Sequence, residues 1–399
     1  MKAARASWVA SILLLTLSSS VTPQGTLAPG EPAVVSERYQ KNQNGDDMSK
    51  PSTRDKNFVE QLKGGASPVI TGRWVTFVYR GDARDVELVG EMSDWDKRGL
   101  KLESLEGAGV KYLSMQFPAD ARIEYKYMID GKWELDPLNP NKNDNGVGGE
   151  NNFFALPEYQ PSPYTRERSG VKRGRVETFK LATGDGKPER AIRVYLPTGY
   201  ETSNERYPAV YFGDGIEYLD RARAATIADN LIADHRLRPA IIVFTAPIER
   251  TKEYWMSDAY VDWLVRELVP AIDSKYRTVA GARSRAIGGA SLGGLISAYA
   301  AYRHPEIFGN VIGQSAAFQV SGGRIISDYS SHARKAIRWY LETGRYEGLL
   351  ESNRRMKEVL ERKGYRLVYR ESNAGHNWTH WADRLADALS YTFPASNER

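Results

Sequence analysis

The 399-residue sequence contains no cysteine, which excludes disulfide bonds, thiolate metal sites and a cysteine nucleophile. A strong charge of one sign is also missing. The 55 Lys and Arg residues nearly balance 50 Asp and Glu residues, and no basic block occurs, so nothing favours nucleic acid as a partner. Glycine (35) and proline (19) are too few for a low-complexity or collagen-like chain. What remains is a globular composition, long enough for two or three domains.

An apolar run covers residues 8–17, after a short basic start at Lys2 and Arg5 and before three serines at 18–20. This layout is typical of a secretory signal peptide, which we place at residues 1–20. The run is short for a membrane-spanning helix, although an uncleaved anchor is the alternative. The sequence therefore predicts a secreted or periplasmic protein without stable membrane insertion after signal cleavage.

Three composition changes divide the rest of the chain. Residues 21–66 are polar and predict a flexible leader. Residues 67–157 contain short alternating segments separated by turns, which predict a small immunoglobulin-like β-sandwich. Residues 158–170 are rich in proline and charge and predict a linker. From 171 to 399 strand-like and helix-like segments alternate, which predicts an α/β three-layer sandwich with a mainly parallel sheet.

Within the α/β region we predict eight strands and five helices. The strands are 174–181, 190–196, 208–212, 240–245, 285–290, 310–314, 335–342 and 366–371. The helices are 219–235, 257–274, 292–303, 348–363 and 379–390.

The pentapeptide 289–293 fits the Gly-x-Ser-x-Gly nucleophile elbow, with a predicted strand before it and a helix after it. Such a turn exposes the serine, here Ser291, as a nucleophile. The N–H of Leu292 would supply one oxyanion-hole donor, and the loop after strand 208–212 the other, at Gly215 or Ile216. The alternative is a glycine-rich turn in a binding fold.

A serine nucleophile needs a general base, and five histidines are available. His376 follows the last predicted strand, where an α/β-hydrolase carries its base. His380 would project from the next helix in a structural role. A zinc site at these two histidines lacks an evident third ligand.

The third member of a triad should follow the strand segment Ala336–Leu341. Glu347, in the loop beyond Gly344, is the favoured candidate. Glu342 is the alternative.

Several motifs recur in one order along the α/β region. They are Tyr195-Leu196-Pro197, Tyr207-Pro208, Asp214-Gly215, Glu267–Pro270, the elbow, His304-Pro305-Glu306 and Gly375-His376-Asn377-Trp378. Together they resemble the Putative esterase family of α/β-hydrolases, which includes enterochelin, feruloyl and acetyl-xylan esterases and mycolyltransferases. The resemblance implies Ser291 as nucleophile and His376 as base, and places the acid, usually an Asp, on Glu347.

Four segments of the region before the linker, 89–95, 125–127, 130–133 and 136–137, form a second set of motifs. They resemble the glycogen-binding modules of branching enzymes, isoamylases and AMP-activated kinase β subunits. The resemblance implies that two tryptophans stack on sugar rings while Lys and Asn bind hydroxyls. The matching residues are Trp95, Trp133, Lys126 and Asn151. The alternative is a packing domain that binds no glycan.

Together these features predict a secreted serine carboxylic-ester hydrolase that acts through an acyl-enzyme, without metal or organic cofactor. A feruloyl or acetyl ester of a polysaccharide is the favoured substrate. A catecholate siderophore trilactone is the alternative, with Arg250, Lys252 and Arg345 as candidate cations for its negative charge. Two further alternatives are a glycan-binding protein with an inactive hydrolase fold and acyl transfer to a sugar.

Overall fold

The computed structural model describes residues 51–52, 55–184 and 188–395. The chain forms two compact units. The first contains the described residues up to Gly90 together with 96–158, and the second contains Glu91–Trp95 and the chain from Tyr159 onward. The predicted signal peptide and most of the predicted leader lie outside the described residues. Within the described part of the chain, no helix combines the length and apolar character that crossing a membrane requires.

The end of the predicted leader is a helix, α1 (Lys56–Lys63), so the prediction of a flexible segment is wrong there. Asp55 caps the helix by accepting a 2.9 Å hydrogen bond from the N–H of Asn57. Phe58 and Leu62 lie one turn apart and are buried in a small apolar cluster. Two apolar positions are too few for the sequence to show a helical period.

The first unit is a sandwich of two antiparallel sheets, which confirms the predicted architecture. Its strands are β1 (Val69–Thr71), β2 (Trp74–Arg80), β3 (Val86–Gly90), β4 (Leu100–Lys101), β5 (Glu103–Leu105), β6 (Val110–Gln116), β7 (Arg122–Ile129), β8 (Lys132–Glu134), β9 (Lys142–Asp144) and β10 (Glu150–Ala155). One sheet has the order β1-β2-β6-β5. The other has the order β4-β3-β7-β10-β9, with β8 paired to β7.

Aromatic rings fill the space between these sheets. Phe77 packs edge-on against Tyr125 at 4.9 Å and against Phe154 at 5.7 Å between ring centroids. A hairpin turn at Asp130 and Gly131, which have φ of 46° and 80°, joins β7 to β8. Positive φ at both turn residues matches the twist of the paired strands.

The second unit contains an eight-stranded sheet of order β11-β12-β14-β13-β15-β16-β17-β18. Its strands are β11 (Arg175–Leu181), β12 (Arg190–Leu196), β13 (Ala209–Phe212), β14 (Ile241–Thr245), β15 (Arg285–Ala290), β16 (Asn310–Gln314), β17 (Arg338–Tyr346) and β18 (Arg366–Gly375). The pairings from β14 through β18 are parallel, so these six strands end at one edge of the sheet.

Helices cover both faces of this sheet and complete the three layers of an α/β-hydrolase fold. They are α2 (Gly215–Asp220), α3 (Ala224–Ala233), α4 (Arg250–Tyr254), α5 (Asp258–Trp263), α6 (Val269–Lys275), α7 (Leu292–Arg303), α8 (Val320–Ser331), α9 (Leu350–Arg362) and α10 (Trp378–Thr392). Alternate strand residues serve two cores. Val210 and Phe212 pack with α3 and α10, whereas Ala209 and Tyr211 pack with α5 to α9.

Two helix predictions need correction, and the helices α4 and α8 lie outside the predicted ones. The predicted helix 257–274 contains a π-helical turn at Leu264–Leu268, in which the N–H of Val269 donates to the carbonyl of Leu264. Pro270 follows this turn, and it has no N–H to donate to the carbonyl of Arg266. The predicted helix 219–235 is interrupted at Arg223, which has φ 58°. Helix α8 was not predicted, because it opens with residues 321–323 in left-handed conformation.

Candidate active site

Ser291 lies between the end of β15 and the start of α7 and has φ 58° and ψ −123°. This conformation is strained for a residue other than glycine and forms the sharp turn that the sequence predicts. A Cβ on Gly289 would lie 2.4 Å from the carbonyl carbon of Gly293, so no side chain fits there. The flanking glycine therefore allows the strand and the helix to meet closely around the serine.

Glu347 and His376 follow the ends of the adjacent strands β17 and β18 and contact each other directly. The distance from His376 Nδ1 to Glu347 Oε2 is 2.5 Å. The other carboxylate oxygen, Oε1, accepts hydrogen bonds from the N–H of Gly344 at 2.7 Å and from the hydroxyl of Thr343 at 2.5 Å. Both oxygens of this buried carboxylate are thus satisfied.

The electrostatic surroundings keep Glu347 ionised. Burial alone would raise the pKa of this carboxyl group, but the charge of His376, their hydrogen bond and the charge of His380 lower it to about 2. Since a carboxylate can only accept, the Nδ1 of His376 donates. In the neutral ring Nε2 is then left as a proton acceptor.

Glu342, the alternative acid, does not contact His376. The strand β17 continues to Tyr346, beyond its predicted end at 342, and Glu342 lies inside it. Its Oε2 is 2.7 Å from Nε2 of His380, and its Oε1 accepts a hydrogen bond from Gln314. The structure therefore brings Glu347, rather than Glu342, to His376.

Ser291 and His376 border the same loop, residues 315–317. The N–H of Ala317 donates to the carbonyl of Ser291 at 3.0 Å. On the other side, Trp381 donates its indole N–H to Ser315 Oγ at 3.0 Å and packs edge-on against the His376 ring at 4.8 Å. The strand order, with β16 between β15 and β17, places this loop between the serine and the acid–base pair.

Leu292 and Gly215 are the first residues of α7 and α2, where a helix leaves N–H groups without an intrahelical acceptor. The two segments are neighbours, since a Cβ on Gly293 would lie 3.3 Å from Asp214 Oδ2. Both predicted oxyanion-hole donors thus belong to segments that meet at the elbow.

An ion pair that the sequence analysis missed supports the loop of Gly215. Arg250 donates two hydrogen bonds to the buried Asp214, at 2.8 and 2.7 Å. The hydroxyl of Tyr254 accepts from the N–H of Asp214 at 2.9 Å. Arg250 and Tyr254 lie 36 and 40 positions after Asp214, so the sequence does not show that these residues meet. The one local signal is Asp214 itself, which directly precedes a glycine.

The three candidate cations for an anionic substrate are all paired with carboxylates. The pairs are Arg250 with Asp214 at 2.7 Å, Lys252 with Glu249 at 3.3 Å and Arg345 with Glu371 at 3.1 Å. Arg250 and Lys252 are therefore largely neutralised. Glu371 also pairs with Arg354 at 2.8 Å, so this one carboxylate faces two guanidinium groups.

Three of the four predicted sugar-binding residues lie on one sheet of the first unit. Trp133 pairs with Met128, which lies on the same face of β7 as Lys126, two positions earlier. Asn152 pairs with Tyr125, so the neighbouring Asn151 lies opposite Lys126. Lys126, Trp133 and Asn151 therefore share a face.

These three residues differ in accessibility. Trp133 is 41% exposed. Asn151 is buried, and its amide donates to Glu124 at 2.9 Å, so that donor is already engaged. Lys126 is half-buried, and burial lowers the pKa of its amine. The fourth residue, Trp95, belongs to the second unit and not to the sheet that carries the other three. Across residues 51–52, 55–184 and 188–395, no group of three or more His, Asp and Glu side chains is arranged to hold a metal ion.

Comparison with protein families gives the activity class. The model of the family described as Putative esterase matches residues 186–392, which is 207 of the 399 residues. The chain belongs to this esterase family. It is a carboxylic-ester hydrolase, and the predicted family resemblance is confirmed. A second model, the glycogen recognition site of AMP-activated protein kinase, matches residues 73–160.

Curated relatives of this esterase match a little over half of the chain. It is 27% identical over 234 residues to the uncharacterised protein YjcH of Bacillus subtilis, a match that covers 55% of this chain and 97% of YjcH. It is 26% identical over 237 residues to an endo-1,4-beta-xylanase/feruloyl esterase of Xylanibacter ruminicola, covering 54% of this chain and 30% of that longer enzyme.

Solved structures share the fold. The ferric enterobactin esterase of Salmonella typhimurium superposes with a TM-score of 0.67 at 18% identity, covering 80% of this chain and 93% of its own. A ferulic acid esterase of Anaeromyces mucronatus, solved with ferulic acid, gives a TM-score of 0.52 at 21% identity. That match covers 59% of this chain and 97% of the fungal enzyme.

Proposed function

We propose that this esterase is a serine carboxylesterase that acts through an acyl-enzyme. Ser291 is the nucleophile, His376 is the general base, and Glu347 is the triad carboxylate that orients His376. The observation that carries the proposal is the 2.5 Å contact between Glu347 Oε2 and His376 Nδ1, at the sheet edge where Ser291 occupies its strained turn. Nucleophile, base and orienting carboxylate are the three parts that this chemistry needs.

In the first half of the reaction, Nε2 of His376 takes the Oγ proton of Ser291 while Oγ bonds to the ester carbonyl carbon. The N–H groups of Leu292 and Gly215 stabilise the resulting oxyanion. The imidazolium then gives its proton to the departing alkoxide, which leaves an acyl-serine. In the second half, water adds to the acyl carbon as His376 takes its proton. The serine then leaves as the acid is released and recovers its proton from His376.

For the substrate, we propose feruloyl or acetyl esters of a polysaccharide outside the cytoplasm, reached through export by residues 1–20. The glycogen-recognition match of residues 73–160 and the exposed ring of Trp133 support a carbohydrate substrate. The pairing of Arg250 with Asp214 and of Lys252 with Glu249 disfavours a highly anionic siderophore, because these two candidate cations then carry little surplus positive charge.

The decisive experiment measures acid release from a feruloylated arabinoxylan fragment, an acetylated xylan and a ferric catecholate trilactone. Each is tested with the wild type and with Ser291→Ala. We expect serine-dependent release from one of the two polysaccharide esters. Release from the trilactone alone would replace the substrate proposal with the siderophore alternative. Acylated sugar among the products would indicate acyl transfer in place of hydrolysis.

Glycan retention by the first unit is tested with Trp133→Ala. Loss of a stacking ring is expected to weaken retention on immobilised polysaccharide by about 5- to 10-fold, without changing hydrolysis of a simple aryl acetate. Trp255→Ala is the matched control, since both indole side chains belong to residues that are 41% exposed. Equal retention of the two variants and the wild type would mean that the first unit does not bind glycan through Trp133.

A further inference from the structure

A second histidine–glutamate pair lies beside the first. The side chains of His380 and Glu342 are 2% and 0% exposed, and His380 Nε2 is 2.7 Å from Glu342 Oε2. The N–H is not aligned with the oxygen, so the contact is an ion pair rather than a well-directed hydrogen bond. The remaining oxygen, Glu342 Oε1, accepts from Gln314 Nε2 at 3.0 Å. The proposed reaction does not use either member of this pair.

The partners of both ring nitrogens favour a doubly protonated His380. Its Nδ1 is 3.0 Å from the carbonyl oxygen of Gly375, which can only accept, so Nδ1 carries a proton. Its Nε2 lies 2.7 Å from Glu342 Oε2, and the negative charge of an ionised carboxylate at this distance favours a second proton on Nε2. A ring protonated at both nitrogens is an imidazolium cation, and Glu342 is its counter-ion.

His380 also holds the two residues that flank the proposed base. Gly375, whose carbonyl it binds, directly precedes His376. Asn377, which directly follows His376, accepts the backbone N–H of His380 at 2.9 Å and so caps α10. A displacement of His380 would therefore move the peptide on both sides of His376.

We propose that His380, held as an imidazolium by Glu342, is a positioning residue that fixes the His376 loop for proton transfer. The inference rests on the proposed function, because it assigns His380 a role through the base of that reaction. His380 touches no reacting atom. Misplacement of a base by about an ångström is enough to slow catalysis about 100-fold.

The groups around His380 favour its charged form. Burial alone would lower the pKa of His380, but the charge of Glu342, their contact and the charge of Glu347 raise it to about 9. The titratable or charged groups that face this cluster are Glu342 and Tyr340 of β17, Glu347, His376, Tyr218 of α2, which bonds Gln314, and Glu91, which accepts from Asn377.

The sign of the pH effect follows from this direction. The pKa of His380 is raised above the ordinary histidine value of about 6.5. The ion pair of His380 with Glu342 is therefore fully formed below about pH 6.5 and is lost as the pH rises through about 9. The wild type is therefore expected to lose kcat on the alkaline side near pH 9.

The test compares pH profiles of kcat and KM on a simple aryl acetate. In His380→Gln we expect kcat at neutral pH to fall about 10- to 100-fold with KM within about 2-fold, and the alkaline decline near pH 9 to disappear. His304→Gln is the matched control, since it removes another histidine paired with a carboxylate, Glu306 at 2.9 Å, at the far end of α7. An unchanged kcat and an unchanged pH profile in His380→Gln would overturn the proposal.

A second measurement needs no folded variant of His380. The chain has five histidines, so a titration of labelled histidine rings in the wild-type protein resolves each one. We expect one ring to stay protonated through neutral pH and to titrate near 9. Titration of all five rings below pH 7 would overturn the proposal. Full activity of Ser291→Ala would instead overturn the proposed function, so the two failures are distinguishable.

Discussion

Replacement of Ser291 with alanine is expected to lower kcat/KM for an aryl acetate by about 10⁴-fold or more, with the fold intact. The substitution removes the oxygen that would form the acyl-enzyme. It keeps the Cβ that already tolerates φ 58° at this turn, so the strain of the elbow does not change. Residual activity would come from the oxyanion-hole donors alone. Steady-state kinetics and the thermal unfolding midpoint check both parts of this expectation.

Ser297→Ala provides a matched control within the same helix. Ser297 is buried, and its hydroxyl donates to the carbonyl of Gly293 at 2.7 Å, so its loss removes a serine hydroxyl near the elbow without removing the proposed nucleophile. We expect activity within about 3-fold of the wild type. If Ser291→Ala were as active as Ser297→Ala, the nucleophile would have to be sought elsewhere.

Replacement of Glu347 with glutamine is expected to lower kcat by about 10³- to 10⁴-fold. The amide removes the negative charge that stabilises the imidazolium. Its NH₂ group can also face Nδ1 of His376, which would hold the ring in the wrong tautomer. The pKa of about 2 implies that the native carboxylate stays charged at every pH used for assay, so Glu347 itself causes no acid limb above that pH. Kinetics at several pH values test this expectation.

The comparison for this variant is Glu371→Gln. Glu371 is also a carboxylate in an ion pair, with Arg354 at 2.8 Å, but it does not contact His376. We expect it to retain activity within about 3-fold. Loss of activity in Glu342→Gln together with full activity in Glu347→Gln would show that the acid had been assigned to the wrong glutamate.

The parts of this esterase that depend on local sequence were predictable. The elbow of Ser291 needs a strand, a glycine-flanked turn and a helix, and one short segment of the sequence contains the pattern of all three. The same holds for the hairpin at Asp130 and Gly131, whose positive φ angles follow from residue type. Strand–helix alternation is enough to predict an α/β sandwich with a mainly parallel sheet, which the structure confirms.

The parts that depend on tertiary contacts were not predictable in the same way. The choice between Glu342 and Glu347 rested on where β17 ends, and its last residues, Gly344 to Tyr346, do not continue the apolar pattern that marks a buried strand. The pair of Arg250 with Asp214 joins loops that are distant in sequence. Burial of Asn151 against Glu124 depends on strand pairing, which residue type does not reveal.

The proposed acid and the proposed base depend on contacts that differ in their separation along the chain. The hydrogen bonds to Glu347 Oε1 come from residues 343 and 344, so the turn of residues 343–347 at the end of β17 is stabilised by its own residues. The His376 loop instead depends on partners such as Glu342 and Glu91, which are distant in sequence. Residues 343–347 could thus be grafted as one segment onto the end of a strand in another parallel sheet. The base loop has no such independence, and a graft of it would have to carry its supporting layer along.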